Sequence, residues 1–331
     1  MSIFRFILIT ITLSILLSIL LNLFYKIIVK HHIIEGATGI IAQNNEMNKI
    51  NSLYGTGILL SNFQADKNNN LQFKLKELFI KSSYNSAFTG TYMNTDMIKF
   101  VLKRGCRYID FEISKIDGDL YVSADTLEKG NCIKLVDAIG SINKSLFGTD
   151  PLFINLRLKN TDTITYDELK IALISLTTNK LRYSGRRIDN TTRIIEVMGK
   201  CVVIGDSNIK SSTGVSVFDM VVNEKVIDSY TNSEIRSLAP IRKDFDSNRI
   251  IVVNPDAMRS GILSWLDPAA VDLKLIVANH SANIIPYSFY SKSIELDSYE
   301  SIFNDYNRTI IQRKYLDKSY FEKLEKKMDL V

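Results

Sequence analysis

Two carboxylates two residues apart, Asp110 and Glu112, are the first candidates for chemistry in this 331-residue chain. They lie in the run 108–113 (YIDFEI), which reads as a strand, and side chains two apart on a strand share a face. Ile109, Phe111 and Ile113 take the other, apolar face, so two carboxylates pointing inward need a partner. A cation is available on the run 152–158. There Leu152, Ile154, Leu156 and Leu158 alternate with Phe153, Asn155 and Arg157, which sends Arg157 to the face away from the aliphatic set. Proton carriers are scarce. Of three histidines, His31 and His32 are neighbours near the start, and His280 lies in 278–281 (ANHS) at the end of an apolar run. A histidine at the end of a barrel strand is a candidate acid or base. Cys106, Cys132 and Cys201 are too few and too scattered for a disulfide framework or a zinc site, and read as buried free thiols.

The elements that must hold these groups are short. Strand-like runs occupy 78–82, 108–113, 120–123, 152–158, 201–204, 217–222, 250–254 and 273–278, with helix-like stretches such as 94–102, 133–145 and 166–176 between them. This alternation predicts an α/β fold, a (β/α)8 barrel of the TIM type. No G-x-G-x-x-G or P-loop follows a strand, which weakens a doubly wound open sheet. Residues 6–25 carry no charge and are long enough for a membrane-spanning helix. No A-x-A-like site follows, so an uncleaved single-pass N-terminal anchor is expected at a membrane, its orientation open because Arg5 balances Lys26 and Lys30. The resulting organisation is an anchor over 1–30, a stalk over 31–72, a barrel over 73–310 and a charged terminal helix over 311–331. The net charge of +5 is spread along the chain with no Lys/Arg block, which argues against nucleic-acid binding.

Several segments, in order, resemble phosphoinositide-specific phospholipase C. The stretch 79–90 (FIKSSYNSAFTG) is similar to that family's F-I-N-S-S-H-N-T-Y-L-T-G, and 97–113 (MIKFVLKRGCRYIDFEI) to its helix followed by G-C-R-x-x-E-x-D. Residues 120–139 parallel the Y-H-G-x-T-L segment, and 151–158 parallel P-V-I-L-S-L-E-N. The second half of the barrel is matched more loosely, over 232–255 and 274–279. The resemblance spans about residues 73–285 and implies a distorted TIM barrel that cleaves inositol phosphodiesters.

The departures from that pattern fall on its chemistry. The family's two histidines, general base and general acid, correspond to Tyr84 and Ser123 here, and neither exchanges a proton readily near pH 7. Its calcium ligands correspond to Asn85, Asp110, Glu112 and Arg157, the last of which offers no acceptor. Bacterial relatives place an arginine where the metal lies, but they keep their histidines. The phosphate-reading lysines correspond to Ile204 and Asp206, and the phosphate-binding Ser and Arg of the second half map near Arg236 and Ser237. The resemblance therefore implies a phospholipase C-like pseudoenzyme without calcium or other cofactor, serving as a binding or structural module for a phospholipid or protein. The competing expectation is a phosphodiesterase with an altered, calcium-independent site, in which His280 substitutes for a lost proton carrier. The glycerophosphodiester phosphodiesterases, another barrel family, use an H-R-G signature that is absent.

Overall fold

The computed structural model describes residues 17–19, 37–55, 60–63, 72–124, 129–238, 248–256 and 271–328. The chain divides into two units, Met1–Glu46 and Met47–Val331, and every strand named below lies in the second. In chain order the elements are α1 (Ala37–Tyr54), β1 (Leu78–Ile80), β2 (Ser82–Ser83), α2 (Thr95–Lys103), β3 (Tyr108–Ile116), β4 (Asp119–Ser123) and β5 (Ile133–Lys134). There follow α3 (Leu135–Gly140), β6 (Leu152–Leu158), α4 (Tyr166–Ala172), α5 (Ile174–Thr178), α6 (Ile194–Val197), β7 (Cys201–Gly205), β8 (Met220–Val221) and β9 (Ile227–Thr231). Next come α7 (Asn232–Ser237), β10 (Ile250–Asn254), a π-helix (Lys274–Asn279), α8 (Ile294–Tyr306), β11 (Ile310–Gln312) and α9 (Lys318–Met328).

The alternation of apolar residues on the strands sorts into two separate cores. Ile109, Phe111, Ile113, Leu152, Ile154, Leu156 and Val203 join the helices in one cluster, and Tyr108, Phe153, Val202, Ile204, Ile227, Val252 and Ile284 form the other. A period of two places successive residues on opposite faces, so β3, β6 and β7 each contribute to both. The helices complete the outer layer. In α2, Asn94 caps the N-terminus by accepting from the Asp96 amide, and Met97, Ile98, Val101 and Leu102 form the buried face.

The largest sheet runs β5-β4-β3-β6-β7-β8, with β2 also paired to β3. Its β2–β3, β3–β6, β6–β7 and β7–β8 ladders are parallel, and the β3–β6 register sets Asp110 beside Asn155 and Glu112 beside Arg157. Strand β9 pairs in parallel with β10, and β1 pairs antiparallel with β11. Isolated parallel bridges join Val222 to Ile227, Val252 to Ile284, Ile80 to Ile284 and Ser83 to Tyr287. These ladders make an α/β fold, and no named sheet of the described residues closes on itself.

Several expected elements change identity. Residues 120–123 are a strand, but one folded back antiparallel on β3 through the Asp117-Gly118 turn rather than a parallel barrel strand. The run 273–278 is not a strand: Lys274–Asn279 winds as a π-helix, with the His280 amide donating to the Leu275 carbonyl. Its place beside β10 and β1 is taken by the segment around Ile284. Residues 217–222 shorten to Met220–Val221, and the terminal helix expected over 311–331 begins only at Lys318, after the strand Ile310–Gln312. Cys106 and Cys201 are buried as expected, whereas Cys132 is half-buried.

The expected membrane anchor is also corrected. No helix among the described residues is long and apolar enough to cross a membrane, so an N-terminal single-pass anchor is not supported. The run 6–25 that suggested it lies outside the described residues except for 17–19. The 18-residue α1 is long enough, but Gln43, Asn44, Asn45, Glu46, Asn48 and Lys49 interrupt its apolar positions.

Candidate functional site at the strand ends

In parallel α/β folds the functional groups collect where the strands end. Arg157 lies near the end of β6, and Asp110 and Glu112 lie within β3 beside it, because the register and the period of two aim the three together. Asp110 is fully buried and Glu112 nearly so, while the Arg157 side chain keeps 21% exposure. The Arg157 Nε donates to Asp110 Oδ1 at 3.0 Å, and its Nη2 to Asp110 Oδ2 at 3.0 Å. Its Nη1 donates to Glu112 Oε2 at 3.0 Å, and Nη2 also reaches Asn85 Oδ1 at 2.6 Å. The planar fork of a guanidinium matches this set of acceptors, which a lysine could not span. Burial works against the Arg157 charge, but Asp110, Tyr84 and Glu112 outweigh it and raise its pKa above the ordinary value.

The loop after β2 closes the cluster. Asn85 has a left-handed backbone (φ 42°), tolerable for asparagine, which lets its amide donate to Asp110 Oδ2 at 3.2 Å while its side chain meets Arg157. The Tyr84 ring lies 4.6 Å from the guanidinium carbon, a cation–π contact on a face that the carboxylates leave uncovered. From β6, Asn155 donates its amide to Asp110 Oδ1 at 2.8 Å. One arginine and two carboxylates leave one net negative charge, and Lys159 faces Glu112 at 3.8 Å. Neither Asn155 nor Lys159 was singled out in the sequence, although Asn155 lies on the inward-facing set of its strand.

Other expected positions are distributed unevenly around this cluster. Ser123 pairs with Glu112 across the β3–β4 ladder and hydrogen-bonds Ser114 Oγ at 2.7 Å, so its hydroxyl is occupied. Asp206 follows β7 and is exposed; it accepts from the Leu158 amide at 2.9 Å, and partial desolvation raises its pKa against the pull of that bond and of Arg157. Ile204 is fully buried in the cluster that also holds Tyr108 and Phe153. Arg236 and Ser237 are exposed on α7, where the Ser237 hydroxyl donates to the Glu234 carbonyl. His280 is not with the cluster. It precedes the extended segment whose Ile284 bridges Ile80 and whose Tyr287 bridges Ser83, which puts it at the far end from Tyr84. It is buried, its Nδ1 has no hydrogen-bond partner, and burial lowers its pKa.

The donor set does not fit a divalent cation. The oxygens of Asn85, Asp110 and Glu112 that would serve as ligands are bonded to a guanidinium, whose charge would repel the metal. Among the described residues, no group of three or more His, Cys, Asp or Glu is placed to hold one. Arg157 has at most one N–H beyond those directed at protein acceptors, so it is a poor receptor for a phosphate as well.

The family model "Phosphatidylinositol-specific phospholipase C, X domain" matches residues 71–195. No curated protein matches the chain. Among solved structures, PLC21 of L. pealei is similar with a TM-score of 0.56 and 12% identity, covering 75% of this chain and 38% of that one. PLC21 of S. officinalis gives 0.55 and 13%, with 76% and 38% covered. A calcium-dependent phosphoinositol-specific phospholipase C from Pseudomonas sp. gives 0.44 and 10%, with 78% and 99% covered. The chain thus spans about two-fifths of the length of the PLC21 proteins it superposes on. Residues 71–195, which contain the whole Arg157 cluster, are similar to the X domain of phosphatidylinositol-specific phospholipase C.

Proposed function

We propose that this chain is a phospholipase C-like barrel that has given up phosphodiester cleavage and works as a binding or structural module, with a phospholipid or a protein as partner. The observation that carries the reading is the occupation of the family's metal position by Arg157, tied to Asp110, Glu112 and Asn85. The positions of the two proton carriers support it. Tyr84 is stacked on that arginine, and the Ser123 hydroxyl is paired with Ser114, so neither stands ready to move a proton. A carboxylate, Asp206, stands where the family reads phosphate with lysine, and would repel it. For the fold we propose closure into an eight-stranded barrel. The ladders together with the bridges Val222–Ile227, Val252–Ile284, Ile80–Ile284 and Ser83–Tyr287 support this reading, in which the Ile284 segment would be the last strand.

One observation favours the alternative of a calcium-independent phosphodiesterase. Asp206 is a carboxyl near Arg157 whose pKa is raised, and a raised carboxyl can carry a proton. Incubating the full chain with phosphatidylinositol, its bisphosphate and simple glycerophosphodiesters, with and without calcium, separates the two readings. No release of inositol phosphate or glycerophosphate is expected. Turnover that Asp206→Asn abolishes would establish the alternative.

A further inference from the structure

The strand that carries Tyr84 and Asn85 is broken. Between β1 and β2, Lys81 turns its side chain outward into the helix layer, where its Nζ meets Glu300 Oε1 at 2.9 Å and the Arg104 carbonyl at 2.8 Å. The next amide, that of Ser82, does not donate to a neighbouring strand. It donates to the phenol oxygen of Tyr299 at 2.7 Å, and the Ser82 hydroxyl pairs with the same oxygen at 3.0 Å. Ser82 and Tyr299 are both fully buried, so this rung has no water to replace it. Tyr299 also stacks on Tyr287, with ring centroids 4.4 Å apart, and the Tyr287 carbonyl accepts from the Tyr84 amide at 2.8 Å. One side chain of α8 therefore touches both strands that hold the Tyr84 backbone.

From this we infer that Tyr299 and Glu300 of α8 are positioning residues for the candidate site: they bridge the break in the first strand and thereby set Tyr84 and Asn85 against Arg157. Neither residue touches the cluster itself. Two residues beyond Ser82, the chain delivers the ring that covers the guanidinium, and three beyond it the side chain that accepts from Nη2. A shift of the strand at Ser82 is transmitted along that short extended path, because the Tyr84 amide is fixed to the second strand Tyr299 holds. Glu300 acts one residue earlier, through Lys81, and is itself held by Arg104 on the other side. The inference concerns how the cluster is held, and stands whether the site binds or cleaves its ligand.

The test reads the Arg157 side chain directly, by following exchange of its Nε–H in nitrogen-15-labelled full-length chain. Tyr299→Phe keeps the ring and removes only the oxygen that accepts from Ser82. Exchange at Arg157 should rise about tenfold, the equivalent of one lost buried hydrogen bond. Tyr183→Phe is the control: it loses a comparable phenol bond, to the Arg186 carbonyl at 2.7 Å, beside the first residue of β7 and away from the site. It should leave Arg157 exchange at the wild-type rate. If Tyr299→Phe proves too unstable to study, Ser82→Ala removes the hydroxyl pair alone and should raise exchange by a smaller factor. Exchange in Tyr299→Phe, or failing that Ser82→Ala, no faster than in Tyr183→Phe overturns the inference.

Discussion

Replacing Arg157 with alanine removes the one cation that lies between two buried carboxylates. Asp110 is fully buried and Glu112 is 5% exposed, so neither recovers solvation when the guanidinium is lost. Lys159 offers little relief, since it is 3.8 Å from Glu112 and 42% exposed. Breaking such a pair from one side costs about 3–5 kcal/mol, chiefly the penalty for the charge left behind. For a domain of this size each kcal/mol lowers the melting temperature by roughly 2–4 °C, so Arg157→Ala should melt roughly 6–20 °C below wild type. Arg157→Lys keeps the charge but loses the fork, and should fall between the two. Thermal melts and urea denaturation of the full chain measure the effect. If Arg157→Ala melts within about 2 °C of wild type, less than the shift for one kcal/mol, the carboxylates do not depend on it and the argument from this cluster is wrong.

Two further outcomes concern pH. Burial opposes the Glu300 charge, but Lys81 and Arg104 outweigh it and lower the carboxyl pKa below 4.5. An acid with a lowered folded pKa adds stability above its ordinary value and loses it as pH falls through the folded one. Glu300→Gln should therefore be less stable than wild type at pH 7, and the gap should narrow below about pH 4.5 when denaturation midpoints are compared. At His280 burial lowers the pKa from 6.5, so between the two values the unfolded chain binds a proton that the folded chain refuses. Stability should fall as pH drops below 6.5, and His280→Gln should flatten that part of the curve. An unchanged slope would mean that His280 is solvated.

Much of this arrangement was legible because strands impose a period of two. The facing of Asp110, Glu112 and Arg157 follows from the apolar residues between them, and the register then needs only to be parallel. The hairpin of β3 and β4 was legible too, yet overlooked. Asp117-Gly118 is a two-residue turn signal, and both residues have the positive φ such turns require. The run 274–279 (KLIVAN) misled because a short apolar stretch fits a strand or a buried helix equally well. The segment around Ile284 and the strand β9 were missed for the opposite reason, since Pro286 and the polar Asp228 and Ser229 dilute the pattern. The stacking of Tyr84 on Arg157 was out of reach. It depends on a left-handed turn at Asn85 and on the hold of α8 on Ser82, neither of which has a local signature.

The claim on which the account rests is that a guanidinium has taken the place of a metal, and calcium titration calorimetry tests it most directly. Wild type should show no calcium binding in the micromolar range, because its candidate ligand oxygens are bonded to Arg157. Arg157→Glu removes the guanidinium and supplies a further carboxylate to Asn85, Asp110 and Glu112, so it should bind calcium and regain part of its lost melting temperature when calcium is present. Micromolar calcium binding by the wild-type chain would contradict the account.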